Sequence, residues 1–162
     1  MSWFASGFSL YAAVMLVSGL ITGFAVDRFS AKALLPYFLL PLAAALVVLG
    51  SFQSPWSIPV IFILLGLNGG GFSTLFGALW PEIYGVKHLG EIRSLIVALM
   101  VFASALGPGV IGWLIDLGIP LETQFLAMAA YCIVISVVLF GVSNAFSARD
   151  VTMGDQATQE LK

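Results

Sequence analysis

The stretch "GFAVDRFSAK", residues 23–32, holds the first charges of the chain and separates two long uncharged intervals. Asp27, Arg28 and Lys32 follow the charge-free residues 1–26 and precede the charge-free residues 33–81. A helix needs about 20 predominantly apolar residues to cross the hydrocarbon core of a bilayer. The lengths of the flanking intervals therefore predict that residues 27–32 form a short turn between two membrane-spanning helices.

The composition supports a membrane location. Only 9% of the 162 residues are charged and 60% are hydrophobic, whereas a soluble domain carries about 25% charged residues. The lipid bilayer is thus the expected partner of most of the surface. The net charge of −2 gives no basic excess and no reason to expect a nucleic-acid partner. The single cysteine, Cys132, cannot form an internal disulfide and is interpreted as a small packing or lipid-facing residue.

The remaining charge-free intervals complete the predicted topology. The interval 33–81 is too long for one helix and is divided by the Gly-, Ser- and Pro-rich stretch "GSFQSPWSIP" at 50–59. Backbone polar groups in lipid must be satisfied within each segment, which favours helices over open strands. We therefore predict an all-α polytopic membrane bundle over residues 1–144, followed by a polar, disordered tail at 145–162. The five predicted spans are 4–26, 33–51, 58–80, 94–116 and 123–144.

Lysine and arginine predict the orientation of these spans. They occur in the 27–32 turn, in the 81–93 loop and after residue 145, whereas the turns at 51–57 and 117–122 contain none. The positive-inside rule therefore places the 27–32 turn, the 81–93 loop and the C-terminal segment in the cytoplasm, with the N-terminus outside.

Small residues recur at helical spacing in three spans and predict close helix packing. They are Ser6, Ser9, Ala13, Gly19 and Gly23 in the first span, Gly66, Gly69, Gly70, Ser73 and Gly77 in the third, and Ser94, Ala98, Ala105, Gly109 and Gly112 in the fourth. Such faces serve either static packing or the sliding of one helix on another. We predict a hinge at Gly107, Pro108 and Gly109, because a proline frees backbone carbonyls and lets a helix bend.

Asn68 is the strongest polar side chain in the middle of a span. It is expected either to form an interhelical hydrogen bond or to line a polar path through the membrane.

Three motifs resemble the major facilitator superfamily (MFS) of secondary transporters. The family signature consists of a glycine, three residues, Asp-Arg, one residue, a glycine or serine, and basic residues. Gly23, Asp27, Arg28, Ser30 and Lys32 match it, while Ala31 stands where the stronger copy of the motif has arginine. "WPEIYGVKHLGEIRS" and "ALGPGVIGWLIDLG" resemble the connection before the eleventh helix and that helix itself.

The resemblance implies helices eight to twelve of a twelve-helix transporter over residues 3–144, in the inner (plasma) membrane of a bacterium. It further implies that Asp27 acts as a conformational latch with Arg28 and Lys32 as partners and Gly23 at a close helix contact. Alternatively, Arg28 and Lys32 only enforce the topology. The resemblance also implies that the first half of the transporter is missing or is supplied by a partner chain. This chain would therefore not transport its small-molecule substrate alone.

The spans 4–26 and 94–116 carry no intramembrane charge apart from Asp116 at the outer end. A charged substrate or a coupling proton would need such a group in the membrane. We therefore expect a neutral or amphiphilic substrate, or a counter-ion in the missing half. The acids lie in separate turns and the only histidine lies in the 81–93 loop, so no catalytic residue, metal site or cofactor is predicted. The alternative to transport is a non-transporting membrane scaffold or a self-assembling membrane subunit.

Overall fold

The computed structural model consists of helices joined by turns, with no strand among the residues that it describes. These are 2–52, 54 and 56–160, with side chains described for 7–52, 54 and 56–142. The six helices are α1 (Ser2–Phe29), α2 (Ala31–Leu34), α3 (Leu40–Ser51), α4 (Ser57–Tyr84), α5 (Leu89–Asp116) and α6 (Leu121–Glu160).

Four helices in the described part of the chain are long and apolar enough to cross a membrane. Their candidate spans are Gly7–Phe29, Ser57–Tyr84, Leu89–Asp116 and Leu121–Val142. They correspond to the first, third, fourth and fifth predicted spans, and the all-α multi-pass fold is thereby confirmed.

The second predicted span, 33–51, is not one continuous helix and is corrected by the structure. It consists of α2, a turn and the twelve-residue α3. Pro36 and Pro41 explain the interruption, because neither has an N–H for an intrahelical bond and each disfavours helix before it. The turn is held by bonds from Tyr37 N–H to Leu34 O and from Leu40 N–H to Tyr37 O.

The tightest seam of the bundle joins α1 to α4, where the helices meet backbone to backbone. A Cβ added to Gly70 would lie 2.2 Å from Met15 O and 2.7 Å from Gly19 N. A Cβ on Gly66 would lie 2.9 Å from Tyr11 O. Only glycine fits at these two positions, and Gly70 meets Gly19 of the small face that was predicted for the first span. The side chain of Ser6, part of the first face, lies outside the described side chains.

A second seam joins α3 to α6. A Cβ on Gly50 would lie 2.8 Å from Leu126 Cγ and 3.0 Å from Glu122 O. Ala45 and Ala129 are buried in this half of the bundle. Short side chains thus hold the twelve-residue α3 close to the longer α6.

The α5 helix lies at the margin of the bundle, and none of its residues is buried. Its predicted small face at Ala98, Ala105, Gly109 and Gly112 is therefore not packed within the described chain. The expectation of a close-packed face is met in part on α1 and α4, at Gly19, Gly66 and Gly70, and is not met on α5. Ser9, Ala13 and Ser73 of the predicted faces are exposed.

The end of the chain differs from the predicted disordered tail. The backbone is helical to Glu160, as a continuation of α6 beyond its apolar part. Residues 145–160 include several good helix formers, and no proline interrupts them. The side chains of this segment lie outside the described ones, and its cytoplasmic location stays a prediction.

Candidate functional site

The 27–32 turn is built on a strained junction between α1 and α2. Ser30 has φ 72° and ψ 154°, a region of backbone conformation that is accessible almost only to glycine. Its N–H donates to Val26 O at 2.9 Å and closes the last turn of α1. This geometry gives a physical reason for glycine at this position of the motif, and the serine of this chain adopts it with strain.

Glu82, near the end of α4, binds the turn on two sides. Its Oε2 accepts a hydrogen bond from Ala31 N–H at 2.8 Å, and its Oε1 lies 4.0 Å from Lys32 Nζ. The Lys32 and Glu82 side chains are 38% and 29% exposed, so the pair is partly shielded from solvent. The carboxylate therefore fixes both the start of α2 and the position of a signature cation.

Ala31 is the residue of the same turn that packs against the core. Its side chain is fully buried and packs with Leu75 and Leu79 of α4. Where the stronger copy of the signature has arginine, this chain thus has a core residue. A long cation would have to leave this packing, so the role of that arginine does not transfer to this chain.

An aromatic ladder holds the α2–α3 turn against α4. Phe72, Phe76, Trp80 and Tyr84 follow one another at four-residue spacing, with successive ring centroids 4.6, 6.0 and 6.2 Å apart. Phe38 from the turn packs edge-on against Phe76 at 5.3 Å. The ladder extends from the core of the membrane segment to the end of α4 that carries Glu82.

The predicted latch residues occupy the same end of the molecule. A Cβ on Gly23 would lie 3.8 Å from Thr74 Cγ2, an ordinary contact across the α1–α4 seam. Asp27 and Arg28 are exposed, and the Arg28 guanidinium lies 5.8 Å from the centroid of the Phe29 ring. Their functional roles stay predictions.

The ion pair between Lys32 and Glu82 was not predicted, because the two residues are fifty positions apart in sequence. Two signals could have indicated it. The positive-inside pattern places the 27–32 turn and the 81–93 loop on the same side of the membrane, and Glu82 is the first acid of that loop.

The predicted hinge lies within a continuous α5. Pro108 is inside the helix, and Cβ atoms on Gly107 and Gly109 would meet no atom within 4 Å. Proline removes the hydrogen bond to the carbonyl four residues earlier, which is that of Ser104. The segment is thus locally weakened and unconfined, although its role as a hinge is untested.

Asn68 lies in α4 with its Oδ1 buried and without a hydrogen-bond partner in the described part of the chain. Neither of its two predicted roles is settled by this environment.

A groove of about 740 Å³ opens between α1 and α4. Its described lining has no charged residue and includes the hydroxyl side chains of Tyr11, Ser73 and Thr74. A surface of this kind suits apolar or weakly polar molecules. The complete lining comprises Tyr11, Ala12, Met15, Leu16, Gly19, Leu20, Gly70, Ser73 and Thr74.

Comparison with known proteins gives one family assignment. The family model described as "Major Facilitator Superfamily" matches residues 1–159. Searches of curated proteins and of solved structures found no match to the chain.

Proposed function

Because the chain belongs to the Major Facilitator Superfamily, we propose that it serves transmembrane transport of a small molecule as the C-terminal part of a secondary transporter. Members of this family are built from two six-helix halves, with the substrate bound between them near the bilayer midplane. The described chain has four long apolar helices and one interrupted segment. On this proposal, transport requires a further half, on the same chain or on a partner.

The observation that carries the proposal is the family match over residues 1–159, together with the built turn at its signature motif. Glu82 joins the end of α4 to the start of α2, which follows α1 after Ser30 alone. A carboxylate that links two helix ends responds when those ends move relative to one another. Such a link is suited to bias a two-state equilibrium, in which differences of a few kcal/mol set the populations.

The motion that we propose is rocking of the tightly joined α1–α4 pair as one body. At Gly66 and Gly70 the two helices meet with backbone atoms in close contact, so separating them would lose this packing and we expect them to move together. In contrast, α5 has no buried residue in this structure and contains Pro108. It is therefore the helix that we expect to bend or shift against the other half.

The uncharged groove between α1 and α4 supports a neutral or amphiphilic substrate. An intramembrane charge is costly and would mark an ion or proton path, and the described lining of the groove has none. An enzymatic role is not proposed, since the family consists of transporters and the acids of the chain lie in separate turns.

The first test of this proposal is the mass of the native product in its own membranes, detected through a C-terminal tag. A band at the size of a twelve-helix transporter would support a C-terminal part of a longer chain. A band near 17.2 kDa would instead require a partner chain, to be recovered by co-purification. A 17.2 kDa product without any partner would contradict the proposal.

The latch is tested by Asp27→Asn in the complete transporter. We expect slower substrate exchange with unchanged membrane abundance, because the substitution removes a charge at an exposed position and retains the side-chain size. Exchange is measured in vesicles with the substrate that the complete transporter takes up. An equal fall in abundance and exchange would make Asp27 a structural residue.

The hinge is tested by Pro108→Ala in the same system. Alanine restores the hydrogen bond to the Ser104 carbonyl and should stiffen α5, so we expect a changed transport rate with a nearly unchanged unfolding midpoint. Gly112→Ala is the control, because a Cβ there meets no atom within 4 Å and no proline is altered. An unchanged rate in Pro108→Ala would contradict the hinge.

A non-transporting, self-assembling membrane subunit is the alternative function. It is favoured by the unburied α5, whose small face could receive a second helix. This alternative predicts one defined homo-oligomer in mild detergent, without a partner chain.

A further inference from the structure

A crevice distinct from the α1–α4 groove lies where the second predicted span is interrupted. It has a volume of about 240 Å³ and is lined by α1, by the α2–α3 turn and by α4. It shares no lining residue with the groove, so the two openings flank the α1–α4 seam. The residues that define the crevice below are Ser18, Ile21, Thr22, Tyr37, Phe38 and Gly71.

The crevice exists because the chain is not helical between Leu34 and Leu40. A continuous helix over 33–51 would present one regular surface to α1 and α4. Instead, Pro36 and Pro41 produce a turn, which is anchored by Phe38 on the aromatic ladder. The turn leaves a space at a depth where a bundle is normally filled by side chains.

The back of the crevice is closed and its mouth is apolar. Leu75 and Ser18, at the back, are 1% and 6% exposed, and the Ser18 hydroxyl already donates to Leu67 O at 2.8 Å. Ile21, Tyr37 and Leu67, which also line it, are 61%, 55% and 39% exposed. The opening therefore lies on an exposed apolar surface of the protein.

The depth of this opening places it against lipid. Ser18 and Thr22 precede the end of α1 at Phe29 by a distance of about 10 to 17 Å along the helix, at 1.5 Å per residue. The hydrocarbon core is about 30 Å thick. With Gly7–Phe29 as a membrane span, we therefore expect the mouth within the acyl-chain region, on the side of the 27–32 turn.

We propose that this crevice is a binding site for the acyl chain of a bilayer lipid. The volume is ample, because an apolar cavity of about 150 Å³ stays dry and binds benzene. The surrounding medium supplies acyl chains at high concentration, whereas water at this depth is scarce. An acyl chain in the crevice would fill the space that the break between Leu34 and Leu40 leaves beside α1 and α4. This proposal does not depend on the transport function.

The test uses the full chain in phospholipid vesicles that contain a trace of a phosphatidylcholine with a photoreactive diazirine on its acyl chain. Cross-linked residues are mapped by mass spectrometry. Occupancy predicts adducts on Phe38 and Thr22, which line the crevice and are only partly exposed, in addition to adducts on exposed α5 residues such as Leu99 and Phe102. Adducts on α5 without adducts on the crevice would overturn the proposal.

A filling variant sharpens the test. A Cβ on Gly71 would lie 3.6 Å from Thr22 Oγ1, an ordinary contact, so the first atom of a larger side chain fits. Gly71→Leu should fill the crevice and abolish the adducts on Phe38, with those on α5 unchanged. Gly112→Leu is the matched control, since a Cβ there meets no atom within 4 Å; it should leave the crevice adducts intact.

Two outcomes of the variant experiment would overturn the proposal: adducts on Phe38 that persist in Gly71→Leu, or adducts that are lost equally in Gly112→Leu. If Gly71→Leu fails to give a monodisperse protein, Gly71→Ala takes its place and should reduce the same adducts. The pattern of adducts in the unsubstituted chain tests the proposal independently of either variant.

Discussion

The helices α1, α4 and α5 are alike in length and in their small residues, but α1 and α4 pack closely on each other whereas α5 is largely exposed. All three helices have 28 residues and carry small residues at helical spacing. On α4, a Cβ at Gly70 would overlap the backbone of α1 at 2.2 Å, whereas on α5 a Cβ at Gly109 or Gly112 would meet nothing within 4 Å. A small-residue face therefore indicates capacity for close approach, and the presence of a partner decides whether that capacity is used.

The α1–α4 seam and α5 also differ in the interactions that stabilise them. The α1–α4 seam is stabilised by close packing and by hydrogen bonds from Ser18 Oγ to Leu67 O and from Thr74 Oγ1 to Gly19 O. In a bilayer, such packing and bonding replace the hydrophobic effect as the force between helices. The side-chain hydrogen bonds found on α5 are local, such as that from Ser104 Oγ to Met100 O, and none of its residues is buried. Substitutions on its exposed face should therefore affect this chain little.

Gly70→Leu is expected to give the largest effect. Its Cβ alone would lie 2.2 Å from Met15 O, a backbone atom that cannot move without displacing α1. The destabilisation should exceed about 3 kcal/mol, the upper end of the usual cost of overpacking. It is measured as the fraction of monodisperse protein in mild detergent and as the unfolding midpoint.

The matched control for this prediction is Gly112→Leu on α5, which should behave as the unsubstituted chain because the site is open. Equal behaviour of the two variants would show that the α1–α4 seam is not as close as the structure has it.

Glu82→Ala is expected to give an intermediate effect. It removes the acceptor of Ala31 N–H and the partner of Lys32. Loss of a side chain that accepts a hydrogen bond at a helix start costs about 0.5 to 2 kcal/mol, and a partly exposed ion pair contributes about 0 to 1 kcal/mol. The unfolding midpoint should therefore fall measurably, and the fall should be smaller in Glu82→Gln, which retains an acceptor.

The control on α5 is Glu91, whose Oε2 lies 3.6 Å from His88 Nδ1 with both side chains mostly exposed. Glu91→Ala should leave the midpoint unchanged. If Glu82→Ala and Glu91→Ala gave the same midpoint, Glu82 would not hold the turn together.

The sequence predicted the helices better than their contacts. Long charge-free intervals located four spans to within a few residues, because the thickness of the bilayer fixes the length of a helix. The same reasoning overlooked the break at 35–39, since hydropathy does not register that Pro36 and Pro41 lack N–H groups. It was also unable to distinguish the packed face of α4 from the open face of α5, because both have the same residue types.

The candidate site was predicted in part. The helical chain is interrupted within 27–32, at Ser30, although residues 27–29 belong to α1 and residues 31–32 to α2. A Cβ on Gly23 would meet Thr74 Cγ2 only at an ordinary contact distance, so its role as a close-approach residue stays a prediction. The partner carboxylate of Lys32 was missed, because tertiary contacts between distant residues depend on how helix ends converge. Ala31 was noted as a departure from the family motif, and its burial in the core is visible only in the fold.

Ser18→Ala is expected to give the smallest measurable effect and provides the finest comparison between the two regions. Ser18 Oγ donates across the seam to Leu67 O at 2.8 Å, whereas Ser104 Oγ donates at the same distance to Met100 O within α5 itself. Interhelical hydrogen bonds in a membrane contribute about 0.6 kcal/mol on average. Ser18→Ala should therefore lower the unfolding midpoint slightly, and Ser104→Ala should not lower it. Equal midpoints for the two variants would mean that the Ser18 hydrogen bond does not stabilise the seam and serves only to satisfy a buried hydroxyl.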